Sequence, residues 1–244
     1  MSMNGKTLLV VGGATGIGRA TAGLAARDGA HVIIASRSEE TLAKAAGEIG
    51  HGAEYRAFDM TDEANVKAWA AALPAIDYLV ISASSAAHGP FATSETGPLR
   101  AMFDAKFFGP YVTAREVLPK MRPGGAIAMF SGVLSRKPGE NCAGLGAVNG
   151  AVEALTRGMA LELGPDLRVN CISPGMVRTE AYAKVPDAKR DAMYDSTGAS
   201  LPVGRVGLPE EIGNLVIATL VNGYMTGQVI DIDGGHMIRQ YATR

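Results

Sequence analysis

A glycine-rich run near the N-terminus, Gly12-Gly13-Ala14-Thr15-Gly16-Ile17-Gly18-Arg19, carries the first recognisable chemistry in the chain. Its skeleton is Gly-x3-Gly-x-Gly. Glycines at this spacing permit a tight turn and let the backbone approach a pyrophosphate closely. A helix starting here aims free N–H groups and the positive end of its dipole at the phosphates. The motif gains weight only between a strand and a helix. Thr7-Leu8-Leu9-Val10-Val11 reads as that strand, and Arg19 to Asp28 has helical composition. The residues expected to form a dinucleotide cradle are therefore Gly12, Ala14, Thr15, Gly16, Ile17 and Gly18.

Beyond the cradle stand Ser36 and Arg37, at the end of a second strand-like run, His31 to Ala35. A carboxylate here would hold a ribose 2′-hydroxyl, and none is present. A guanidinium pairs instead with a 2′-phosphate. Ser36 and Arg37 thus favour NADP(H) over NAD(H), the alternative for Arg37 being a solvated surface side chain.

The elements that must position these groups alternate along the chain. Further strands are expected over Ala53–Phe58, Tyr78–Ile81, Ala126–Phe130, Arg168–Ile172 and Val229–Ile232. Helices are expected from Ser38, a plausible N-cap, from Thr61 to about Leu73, and over Pro209–Leu220. Two long helices are expected over about Gly97–Met121 and Gly139–Leu163, the first stopped by Pro123-Gly124-Gly125. Continuous apolar strands separated by helices mean a parallel sheet covered on both faces. The expected architecture is one α/β domain spanning residues 1–244, a three-layer, doubly wound parallel sheet of Rossmann type. The polar stretch 179–205, with Pro186 and Pro202, reads as an insertion after a strand's C-terminal end, where ligands bind in such sheets. It is expected to be a lid beside a ligand cleft, the alternative being a plain surface excursion.

Composition narrows the function. Glycine supplies 31 of 244 residues, apolar residues 47% and charged residues 19%, with a net charge of −1. The charge balance excludes an electrostatic nucleic-acid binder. The apolar content excludes a disordered chain. No run reaches the roughly 18 apolar residues of a membrane span. Cys142 and Cys171 fit reduced, buried thiols in a cytosolic protein, and scattered histidines argue against a structural zinc.

Over essentially its whole length the chain resembles the short-chain dehydrogenase/reductase family. The glycine loop is similar to that family's, and Asp59-Met60 matches its adenine-holding pair. Pro174-Gly175-Met176-Val177-Arg178-Thr179 matches its Pro-Gly-x3-Thr segment, which implies that Val177 and Thr179 face the nicotinamide. Asp231-Ile232-Asp233-Gly234-Gly235 matches its C-terminal signature. The segment after the fourth strand, Ile81-Ser82-Ala83-Ser84, is altered, and Ala83 is expected beside the cofactor.

The same resemblance exposes a departure. Aligned on Ala151 to Thr156, the family's catalytic tyrosine falls on Leu145, its lysine on Asn149 and its serine on Gly132, with Ser131 one residue earlier. Its asparagine falls on Lys106. No Tyr-x3-Lys pair occurs elsewhere, and Leu145 cannot donate a proton. Lysine and asparagine are exchanged between the two long helices, so Lys106, Asn149 and Ser131 are the candidate catalytic groups. His88 and the Arg136-Lys137 corner are expected to be solvated. Two functions fit: an NADP(H)-dependent oxidoreductase on an unknown carbonyl or alcohol with a non-standard site, or a catalytically silent NADP(H) binder acting as sensor or partner subunit. A lyase or dehalogenase fits poorly, because such relatives keep a Ser-Tyr pair and replace the glycine loop. Glycines in the second long helix, and the family's habit, point to a homodimer or homotetramer.

Overall fold

Five of the seven strands are runs whose side chains are buried on both faces, so they pair edge to edge and need helices above and below. In the structure, a computed structural model describing residues 2–82 and 85–239, they are β1 (Thr7–Val11), β2 (His31–Ser36), β4 (Ile76–Ile81), β5 (Met121–Phe130) and β6 (Arg168–Pro174). The edges are β3 (Glu54–Ala57) and β7 (Val229–Ile232). All pairs are parallel, in the order β3-β2-β1-β4-β5-β6-β7. The chain reverses its direction of travel across the sheet between β1 and β4, and ligands bind at such a switch point.

The helices are α1 (Gly16–Arg27), α2 (Glu39–Ile49), α3 (Glu63–Ala71), α4 (Thr96–Phe103), α5 (Gly109–Val117), α6 (Ala143–Leu163), α7 (Asp187–Ala199) and α8 (Pro209–Val221). Alternate strand residues feed two cores. Leu8, Val10, Val32 and Ile34 pack with Ala22 of α1 and Val216 of α8. Leu9, Val11, Ile33 and Leu79 pack with Val66, Val117 and Val152 on the opposite face. Ser38 caps α2 by accepting from the Thr41 N–H at 3.3 Å. The exposed edge β3 carries Glu54 and Arg56, charges that discourage edge-to-edge association.

Several boundaries differ from expectation. Helix α1 begins at Gly16, three residues before Arg19, so the glycine motif itself forms the first helical turn. Helix α6 begins at Ala143 rather than Gly139. Pro123-Gly124-Gly125 lies inside β5, which starts at Met121. The helix expected over Gly97–Met121 is broken into α4, a π-helical turn at Asp104–Phe108, α5 and a 3-10 turn at Leu118–Lys120. Pro110 explains the break: it has no N–H to donate to the carbonyl of Lys106 four residues back. Gly109 N–H reaches instead to the Asp104 carbonyl, five residues back. Isolated π turns often sit at functional positions, and this one carries Lys106. The stretch 179–205 holds a 3-10 turn at Glu180–Tyr182 and α7.

Candidate active site

A cavity of about 730 Å³ opens at the C-terminal ends of β1, β2 and β4. That lies within the roughly 300–1,000 Å³ of small-molecule sites. Its floor is the glycine loop. Gly12 has φ of 83° and Gly16 of 51°, conformations costly for any other residue. A Cβ on Gly18 would overlap the Gly12 carbonyl oxygen and sit 2.5 Å from Ser82 Oγ. Ser82 holds the loop from the other side: its N–H donates to Val11 O at 2.9 Å and its hydroxyl lies 3.2 Å from the same oxygen.

The cavity wall contains Gly12, Thr15, Gly16, Ile17, Gly18, Ser36, Arg37, Asp59, Met60 and Thr179, all candidates for the cofactor site. Ala14 is buried behind the loop. Arg37 is exposed and makes no hydrogen bond or ion pair with the described residues, and its charge helps lower the Asp59 pKa. The first cause of that lowering is the Thr61 N–H, which donates to Asp59 Oδ1 at 2.9 Å. Met60 packs against Gly109, where a Cβ would come within 2.8 Å of its sulfur. Pro174 and Gly175 end β6 behind the wall, and Gly175 N–H donates to Ile232 O at 3.1 Å. Val177 is buried and pairs with Gly207. Ala83 lies outside the described residues.

The three candidate catalytic residues meet around the end of β5. Lys106 is only 8% exposed, and its Nζ donates to the Ser131 carbonyl at 3.1 Å. Asn149 Nδ2 donates to the adjacent Gly132 carbonyl at 3.3 Å. Residues on two different helices thus hold neighbouring carbonyls. Gly132 admits this approach, since a Cβ there would stand 3.1 Å from Asn149 Nδ2. Burial lowers the Lys106 pKa to about 8, because the interior disfavours the ammonium. Asn149 Oδ1 is buried without a hydrogen-bond partner, an arrangement that calls for an explanation. None of the three residues lines the cavity wall itself.

Sequence reasoning missed Glu153. Its buried carboxylate accepts from Ser131 Oγ at 3.0 Å and from Ser135 Oγ at 2.5 Å. The Ser131 proton is therefore committed inward. A lone Glu among the apolar positions of α6 was the available signal.

The solvated corner expected at Arg136-Lys137 is instead an anchor. Arg136 grips Asp231 through both terminal nitrogens, at 2.8 and 2.5 Å, and stands 3.7 Å from Glu153. Lys137 Nζ donates to the carbonyls of His236 and Arg239 at 2.7 and 2.8 Å. Their partners lie about a hundred residues away in sequence, beyond any local reading. His88 is exposed as expected, with Nδ1 3.4 Å from the half-buried Cys142 thiol. Cys171 is buried, which pushes its thiol pKa up to about 11.

Sheet order, glycine loop and cavity together define a dinucleotide-binding α/β fold, and comparison with known proteins sharpens this. The family model described as Enoyl-(Acyl carrier protein) reductase matches residues 12–237. The 3-oxoacyl-(acyl-carrier-protein) reductase FabG of Thermotoga maritima is 30% identical, over 98% of this chain and all of that protein. A sorbitol dehydrogenase of Cereibacter sphaeroides is 32% identical over 97% of this chain and 99% of its own. A solved small-chain dehydrogenase in complex with NADPH superposes with a TM-score of 0.80 at 35% identity, covering 94% of this chain and 97% of that one. The chain belongs to the short-chain dehydrogenase/reductase family. Among the described residues, no helix is long and apolar enough to cross a membrane.

Proposed function

We propose that this protein is an NADP(H)-dependent oxidoreductase of a carbonyl/alcohol pair in which Lys106 and Asn149 are the family's lysine and asparagine in exchanged places and Lys106 also takes over the proton transfer. The observation that carries the reading is the buried Lys106 ammonium held on the Ser131 carbonyl, next along the chain to the Gly132 carbonyl that Asn149 holds. The chain's residues fit the cofactor: a glycine loop in which a Cβ on Gly18 would overlap the Gly12 carbonyl, and on the same cavity wall the Arg37 guanidinium, which makes no hydrogen bond or ion pair among the described residues. When bound, the nicotinamide supplies or accepts a hydride.

The remaining tasks belong to the protein. The N–H groups at the start of α1 hold the pyrophosphate. Arg37 holds the 2′-phosphate, and Asp59 and Met60 bound the adenine. Val177 and Thr179 orient the nicotinamide. Asn149 Oδ1 accepts a ribose hydroxyl. With a pKa near 8, Lys106 can hold a proton at Nζ and release it to an alkoxide oxygen formed nearby. Ser131 serves by presenting its carbonyl to Lys106, since its hydroxyl is bound to Glu153. The stretch 179–205 covers the substrate side as a lid.

Replacing Arg37 with alanine tests the cofactor assignment. Calorimetric titration is expected to show NADPH affinity falling about tenfold, the value of one charge-assisted contact, with NADH affinity unchanged. Equal losses for both nucleotides, or no loss, contradict it.

A catalytically silent binder is the second reading. The fact favouring it is that Lys106 and Asn149 both give donors to backbone carbonyls rather than to the cavity. NADPH consumption with added carbonyl compounds separates the two.

The assembly is proposed to be a homodimer or homotetramer. On α6, a Cβ at Gly150 or Gly158 would meet nothing within 4 Å, and Leu161 is 84% exposed. Gly144 and Gly146, in contrast, pack within the chain against Leu99 and the Leu134 carbonyl. The two free thiols suit a reducing, cytoplasmic setting.

A further inference from the structure

One acidic side chain reaches the place that the dinucleotide reading reserves for phosphate. Glu180 follows Thr179 at the start of the proposed lid. Its Oε2 accepts from Gly16 N–H, the first N–H of α1, at 2.8 Å. Its Oε1 accepts from Arg19 Nη2 at 2.6 Å, one turn further along the same helix. Both carboxylate oxygens are therefore seated on the glycine loop, where the helix dipole and free N–H groups favour an anion. The packing of Gly16 is equally close, since a Cβ there would stand 3.2 Å from Thr179. A pyrophosphate and this carboxylate need the same N–H group and carry like charge.

The Glu180 segment is also tied to α7. Tyr194, 2% exposed, donates its hydroxyl to Thr179 O at 3.3 Å. The Arg178 guanidinium lies 4.5 Å over the Tyr194 ring and 3.0 Å from Asp191. Moving Glu180 off the loop pulls on Thr179, and through Tyr194 and Arg178 on the helix.

We propose that Glu180 is a positioning residue that occupies the pyrophosphate seat in the free protein. The incoming dinucleotide must displace it, so cofactor entry repositions α7. This inference rests on the dinucleotide-binding reading. Arg19 has a second partner, Glu48, at 2.9 Å.

The test compares wild type with Glu180→Gln and Glu180→Ala in titrations with NADPH and with inorganic pyrophosphate. Removing the competitor is expected to tighten both ligands about three- to tenfold, the scale of a charge-assisted contact. Hydrogen exchange over residues 187–199 is expected to change when NADPH is added to wild type, and to change less in Glu180→Ala. Unchanged or weaker affinity for both ligands in the variants overturns the proposal, as does an identical NADPH response of α7 in all three proteins. If NADPH binds none of the proteins, the dinucleotide reading fails. The pyrophosphate titration then still decides whether Glu180 competes for the loop.

Discussion

Gly18→Ala is expected to lower NADPH affinity by one to two orders of magnitude while leaving a folded protein. The added methyl would collide with the Gly12 carbonyl and come within 2.5 Å of Ser82 Oγ. Neither can retreat: Gly12 N–H donates to Ala35 O at 2.8 Å, and Ser82 is bound to the end of β1. Overpacking of this kind costs roughly 1–3 kcal/mol, and the loop must open to relieve it. Opening misaligns the N–H groups that would grip the phosphates. Gly47→Ala provides the control, because a Cβ there meets nothing within 4 Å. Lying inside α2, it should stabilise the protein by about 0.5–1 kcal/mol and leave binding unchanged. Calorimetric titration and thermal unfolding of both variants check this pair. Wild-type NADPH affinity in Gly18→Ala contradicts the cradle.

Lys106→Met is expected to make the protein more stable at pH 7. Desolvation lowers the Lys106 pKa from 10.5 to about 8 in the folded protein. Below pH 8 both folded and unfolded states carry the ammonium, and burying it costs on the order of 3 kcal/mol. Between pH 8 and 10.5 the folded state releases the proton while the unfolded state keeps it. The unfolded state then binds more protons, so wild-type stability rises with pH through this window. Methionine has no such dependence. Its advantage at pH 7, after loss of the Ser131 contact, should be about 2 kcal/mol and should shrink as pH approaches 10.5. Denaturant unfolding of both proteins at pH 7, 8, 9 and 10 tests this. A wild type that is the more stable protein at pH 7, with no pH trend, places the ammonium in water.

The parts legible in the sequence are those set by local rules. The run from Thr7 to Gly18 announces strand, turn and helix start through apolar and glycine spacing alone. The parts that were not legible depend on distant partners. Nothing near Arg136 and Lys137 signals that Asp231 and the carbonyls of residues 236 and 239 close around them. Glu180 reads as one polar residue in a polar stretch, and its seat exists only once the 3-10 turn docks on α1. The π turn lies between these cases. Pro110 gives a local reason for a break in the helix, but the five-residue step from Gly109 N–H to the Asp104 carbonyl is seen only in the structure. The resemblance picked out Lys106 but not its burial, since a lysine among Phe103, Phe107 and Phe108 gives no local sign of facing inward.

In the proposed mechanism Lys106 Nζ performs the proton chemistry that the aligned Leu145 cannot, while Asn149 holds the ribose. The most direct measurement is NADPH consumption by the wild-type protein across a panel of aldehydes, ketones and quinones, repeated with Lys106→Met. The account predicts turnover on at least one carbonyl. It also predicts a fall of about two to four orders of magnitude in the variant, with NADPH affinity preserved. Tight NADPH binding without turnover on any compound, or undiminished turnover in Lys106→Met, contradicts it.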